Sequence, residues 1–227
     1  MITFFLSLFF FCGFDSFLQY LQLEGRYYGV HALHNTLITA STASEVITTL
    51  TNFSSIHTHP TNYTALELCT ALHLYHILYY FQKLRLDDWL HHILMIGIAL
   101  PIGGILPAGT LLGYSLFFTT GLPGGIDYIL LFLVRNNWLH RDTEKKANHA
   151  LNVWIRSPGC ASHAALVCAY VSTHQVSILY MLGALTTAIL NYWNGQYFMQ
   201  QVVYNAGQLQ LFQKIDRTPF GRRMEQI

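Results

Sequence analysis

Charge is what this chain has least of. Only 10% of its 227 residues are Asp, Glu, Lys or Arg, against about a quarter in soluble globular proteins. Hydrophobic residues make up 52% and aromatic residues 15%. So little charge cannot coat a water-exposed domain, and the composition predicts an integral membrane protein. The net charge of +1 excludes the basic footprint of a nucleic-acid binder. Cys12, Cys69, Cys160 and Cys168 form neither a CxxC pair nor a dense framework. That argues against a cysteine metal site or a disulfide scaffold and leaves the redox compartment open. The first apolar run lacks a basic leader and a cleavage site, so it reads as a retained span.

What the chain does have is apolar stretches. A helix needs about 20 mostly apolar residues to cross a bilayer. Seven stretches qualify, at 2–22, 27–50, 62–82, 88–107, 109–134, 159–173 and 175–192. The second is rich in Thr and Ser and the sixth is short and polar, so either could be re-entrant or buried. If all seven cross, every one of the 12 Lys and Arg residues falls on one face. The positive-inside rule makes that face cytoplasmic, or the matrix in a mitochondrial inner membrane, with the N-terminus opposite. The expectation is an all-α, polytopic transmembrane bundle over residues 1–195 with a polar tail, 196–227, on the basic side. An endomembrane of the ER type and the mitochondrial inner membrane both fit.

The sequons "NFS" at Asn52 and "NYT" at Asn62 lie on the charge-free side, where a glycan would attach. Their abundance of Thr and Ser neighbours offers a plainer origin. The nearby "HTHP" (His57, His59) reads either as a surface metal site or as a solvated loop.

Ionisable groups concentrate in the basic-side half. His31 and His34 open the second span. His73 and His76 close the third, with His76 six residues before Gln82, about 9 Å in. "LRLDDWLHHILM" then starts the fourth with Asp87, Asp88, His91 and His92. Asp127 follows in the fifth, eight residues before Arg135, about 12 Å in. Glu67, in the opposite half of its span, is an exception to the pattern. Ionisable groups at membrane depth commonly face the bundle interior and pair with one another. Asp88 and His92 stand at i,i+4, the offset at which a carboxylate can fix a histidine tautomer for general-base work. The same aspartates are also well placed to cap a helix. His91 and His92 point about 100° apart, so both cannot aim at one centre. The histidine spacings, HxxH, HxxH and HH, lack the boxes of a membrane di-iron enzyme, and neither a metal nor a cofactor is expected. "GLPGGIDY", Gly121 to Tyr128, should kink or break the fifth span.

"RYYGVHALHNTLIT", "ALHLYHILYYFQKLRLDDWLHHILM", "GTLLG" and "GLPGGIDYILLFL" together resemble the TLC (TRAM–LAG–CLN) domain family. The resemblance covers about residues 1–195. It implies a helical bundle around a lipid-accessible cavity and, as in ceramide synthases, an active site built on a histidine pair and an aspartate of the next span. His91, His92 and Asp127 match those positions. The further His-Asp element has no counterpart in "LLGYSLFFTTG". The leading expectation is a lipid-binding or lipid-handling protein: the resemblance implies the cavity and the roles of His91, His92 and Asp127, and the shared depth adds His31, His34, His73, His76 and Asp88 to its lining. Two alternatives stand beside it: a non-catalytic accessory subunit of a larger membrane complex, such as a respiratory one, and an acyl-CoA-dependent acyltransferase.

Overall fold

The computed structural model describes residues 2–56 and 58–216, with side chains through 209 and at Leu211. His57 and the tail residues Arg217, Phe220, Arg222 and Arg223 lie outside the described residues. Among these residues the chain forms seven helical rods and no strand. They are α1 (Ile2–Tyr20), α2 (Arg26–Thr51), α3 (Tyr63–Tyr80), α4 (Leu86–Ile105), α5 (Thr110–Arg135), α6 and α7 (Ile178–Asp216). Rod α6 joins Arg141–Leu151, Asn152–Arg156 and Ser157–Thr173 without a break. Three rods, α1, α4 and α5, are long and apolar enough to cross a membrane.

Rod α2 explains why the others differ. It packs on α1 and α3 and along the length of α5, so little of it needs to be apolar. Its hydroxyls bond back to its own backbone: Thr36, Thr39 and Thr42 donate to the carbonyls of Ala32, Asn35 and Ile38, four residues back, at 2.7 to 2.8 Å. Thr49 bonds Thr110 of α5 at 2.8 Å. A polar helix is tolerable in this position because its neighbours and its own backbone satisfy it.

The loops sort to two ends. At one, Asn136 accepts from the Glu24 amide and donates to the Glu24 carbonyl, both at 3.1 Å, and Gly25, at φ 66°, lies against the Arg135 side chain. At the other, the Thr110 amide donates to Ile56 and the Gly109 amide to Thr61, again at 3.1 Å. Arg26 and Arg135 therefore share an end, opposite Asn52.

Two sequence expectations change here. The polar stretch between the fifth and sixth apolar runs, residues 136–157, which reads as an extended loop, is not one, because Arg141 onward is helical and runs into the sixth apolar stretch. Nor does the last helix end near 192: α7 continues through 39 residues, about 58 Å, to Asp216. Polarity alone does not separate a solvated loop from a helix whose polar face is buried.

"GLPGGIDY" does not break α5. A π turn, Phe117–Gly121, precedes Pro123, as Met95–Ala99 precedes Pro101 and Asn152–Arg156 precedes Pro158. A proline has no N–H and its ring collides with the carbonyl four residues back. The wider i,i+5 turn just upstream moves that carbonyl aside, so each rod continues past its proline.

Rods α5 and α6 approach closely at Gly159, where an added Cβ would meet the Phe118 ring. Gly159→Val should therefore cost about 1–3 kcal/mol, read as a lower Tm in detergent. Gly13→Val, where nothing lies within 4 Å, should be silent.

Candidate functional site

Six histidines from three rods meet at one place. Rod α2 supplies His31 and His34, α3 supplies His73 and His76, and α4 supplies both His91 and His92, whose rings each lie 5.3 Å from that of His73, contrary to the expectation that they could not share one centre. All but His91 are buried. The i,i+3 spacing sets each α2 and α3 pair on the face turned toward the other rods.

Hydrogen bonds fix the tautomers. His31 Nδ1 lies 2.7 Å from the Tyr27 carbonyl, and His73 Nδ1 lies 2.7 Å from that of Cys69. A carbonyl only accepts, so both Nδ1 atoms carry the proton and both Nε2 atoms carry a lone pair. His34 Nδ1 donates in the same way to Asn35 Oδ1 at 2.7 Å. His73 Nε2 then accepts from His91 Nε2 at 3.3 Å. The rings are ordered by stacking. Tyr128, His31 and His76 form a column with centroids 4.4 and 4.2 Å apart. His92 stands edge-on to His73 and His76 at 5.3 and 5.4 Å.

His34 Nε2, His76 Nε2 and His92 Nδ1 are buried with no hydrogen-bond partner. Leaving such an atom unpaired costs about 1–3 kcal/mol, so the cluster holds unspent capacity to take hydrogen bonds or a proton. Among the described residues no three of these side chains are arranged to hold a metal ion. A surface depression of about 240 Å³ lies elsewhere, at Leu78–Lys83.

Neither expected carboxylate joins the histidines. Asp88 Oδ2 accepts from the Arg85 amide at 2.9 Å and so caps α4, leaving His92 Nδ1 alone. Asp127 lies within electrostatic range of Arg156, Glu144 and Lys145 of α6. Its neighbour Tyr128, about 100° round the helix, reaches the cluster instead. Glu67 finds its reason far from the site, accepting from the Phe4 amide at 3.0 Å at the start of α1. Asn62 caps α3 through Ala65 and donates to Ser41 and Glu45 at 2.9 Å, so a glycan there would displace these bonds. Asn52 is exposed.

The sequence reading passed over several polar groups. Asp15, 1% exposed in the middle of α1, accepts from Arg26 and Tyr75 at 2.8 Å and from Tyr80 at 3.1 Å. An acid inside a phenylalanine-rich run, 11 residues before an arginine, was its available signal. Rod α6 carries Glu144, Asn148, Asn152 and Arg156, four residues apart, as a hydrogen-bonded ladder. Their spacing was visible, but the segment read as loop. Arg156, expected in that loop, is buried.

Comparison with protein-family models, curated proteins and solved structures finds no match. The functional reading therefore rests on the geometry and the sequence motifs.

Asp15 ties α1 to α2 and α3. Asp15→Asn, which keeps an acceptor for the tyrosines, should cost about 1 kcal/mol; Asp15→Leu should cost about 3 kcal/mol, since it also strands both hydroxyls. Unfolding in graded denaturing detergent measures the difference.

Proposed function

We propose that this chain is a multi-pass membrane protein that binds lipid at the histidine cluster. The observation that carries the reading is the set of buried, unpartnered imidazole nitrogens beside the exposed His91 of α4. His91 is exposed between Leu90 and Ile93, which are 53% and 61% exposed on the same rod. A lipid sliding along that apolar flank could place a hydroxyl or amine against the lone pairs while its chains stay in the bilayer. The resemblance to TLC proteins supports the same reading.

Acyl transfer draws less support. Its base would need a carboxylate on the histidine pair, but Asp88 caps α4 and no hydrogen bond joins Asp127 to His91 or His92. The accessory-subunit reading has one observation in its favour. Rod α7 extends to roughly twice the bilayer's apolar thickness of about 30 Å and exposes Tyr197, Val203, Tyr204 and Leu211 beyond residue 192.

All seven rods crossing the membrane fits the two ends described above. Ser54→Cys and Lys146→Cys, both at exposed positions, should label from opposite sides of a sealed vesicle; labelling from one side would break the seven-span topology.

The cluster itself is tested by His73→Phe and His76→Phe, which keep a ring but remove the nitrogens. Lipid mass spectrometry of the purified full chain should show a specific bound lipid lost in both variants with Tm nearly unchanged. Unaltered lipid, with weakened association to co-purifying proteins, would instead favour the subunit.

A further inference from the structure

A second cluster of unpartnered groups lies next to the histidines, on the far side of Asn35. Asn35 Oδ1 is fully used, accepting from His34 and from Thr120 at 2.7 and 2.8 Å. Its Nδ2 has no partner, and neither does Nε of Arg156 or Oδ1 of Asp127; all three atoms are buried. The Asn35 amide and the Arg156 guanidinium meet at Gly124. A Cβ built there would lie 2.6 Å from Asn35 Nδ2 and 3.4 Å from an Arg156 Nη atom. Asp127 is one helical turn further along α5, where i,i+3 Cβ positions are about 5–6 Å apart. Arg156 and Asp127 feel each other's charge yet form no ion pair within 4.0 Å. Two unpartnered donors, Asn35 Nδ2 and Arg156 Nε, and one unpartnered acceptor, Asp127 Oδ1, are thus left at adjoining positions of α2, α6 and α5.

The arginine is held for this purpose. Arg156 Nη1 donates to Asn152 at 2.9 Å, and Asn152 and Asn148 continue the ladder down to Glu144, which pairs with Lys145 at 3.3 Å. Phe198 of α7 covers the guanidinium, 5.0 Å from its ring centre. Two π turns, Phe117–Gly121 and Asn152–Arg156, flank the spot, and such turns recur at functional sites.

We propose that Asn35, Arg156 and Asp127 bind the hydroxyl group of a lipid alcohol. The oxygen accepts from Asn35 Nδ2 and Arg156 Nε and donates its proton to Asp127 Oδ1. An ether or ester oxygen cannot make the last bond, and an anion would meet the Asp127 carboxylate. This deepens the lipid-binding reading above and rests on it, since the Asn35–His34 bond joins the two clusters.

The test uses the purified full chain and native mass spectrometry, with 1,2-dioleoylglycerol competing against its 3-O-methyl ether. The wild type should favour the alcohol at least about tenfold, because a site built around a hydroxyl rejects the analogue that lacks it. Asn35→Asp keeps an acceptor for His34 and Thr120 but turns a carboxylate toward Arg156; it should abolish the preference while Tm holds. Asp127→Asn should reduce it severalfold. Equal binding of alcohol and ether by the wild type overturns the proposal and assigns these groups to water. If His73→Phe loses the lipid but the alcohol is not preferred, this site fails and the histidine reading stands. If the preference is present and His73→Phe retains the lipid, the site stands and the histidine reading fails.

Discussion

Everything in this bundle depends on polar groups that have no water to turn to. In a chain with so few charges, each buried donor or acceptor must find a partner inside or stay costly. Rod α2 is where that constraint bites hardest. It is the most polar of the central helices, and it survives because α1, α3 and α5 surround it and its threonines fold back on its own carbonyls. Had α2 been at the edge, the same residues would have faced hydrocarbon. Its central place is thus a consequence of its composition, and it brings His31, His34 and Asn35 to the middle of the molecule.

The prolines follow the same logic. Each of Pro101, Pro123 and Pro158 withholds a backbone donor within a rod, and each lies two residues past a π turn. The π turn relaxes the ladder where the proline would tear it. The consequence is positional. Residues after each turn are rotated relative to a regular helix, which changes the face that Asp127 and Arg156 occupy. A hydropathy reading sees Gly and Pro and expects a break; the backbone accommodates them with one wide turn.

The helical class and the first five rods were legible because apolar runs and their lengths carry that information directly. So were the histidines: pairs at i,i+3 on α2 and α3 and the doublet on α4 share a depth, and depth follows from counting residues. Direction was not legible. Asp127 and Tyr128 are adjacent in sequence, and only the phase of α5, reset by a π turn, decides which of them meets the histidines. Asp88 was ambiguous for a different reason, since the acid that could orient His92 is also the acid that caps α4, and the cap won. Asp15 was hidden among phenylalanines. The ladder on α6 was hidden in plain polarity: Glu144, Asn148, Asn152 and Arg156 have a helical period, but a run that polar reads as loop until the neighbours that bury it are known.

The two polar regions are one system because of Asn35. Its amide is planar and rigid, so its oxygen and nitrogen cannot turn independently. The oxygen is held by His34 and Thr120, and this aims the nitrogen at Gly124 and Arg156. Gly124 matters for the same reason, since any side chain there would push the amide away and release both ends. The histidine cluster and the Arg156–Asp127 region are thereby linked through one side chain. Neither region is self-sufficient: the first leaves His34 Nε2, His76 Nε2 and His92 Nδ1 without partners, and the second leaves Asn35 Nδ2, Arg156 Nε and Asp127 Oδ1 without them. The most economical way to satisfy both is a polar group brought in from outside the chain.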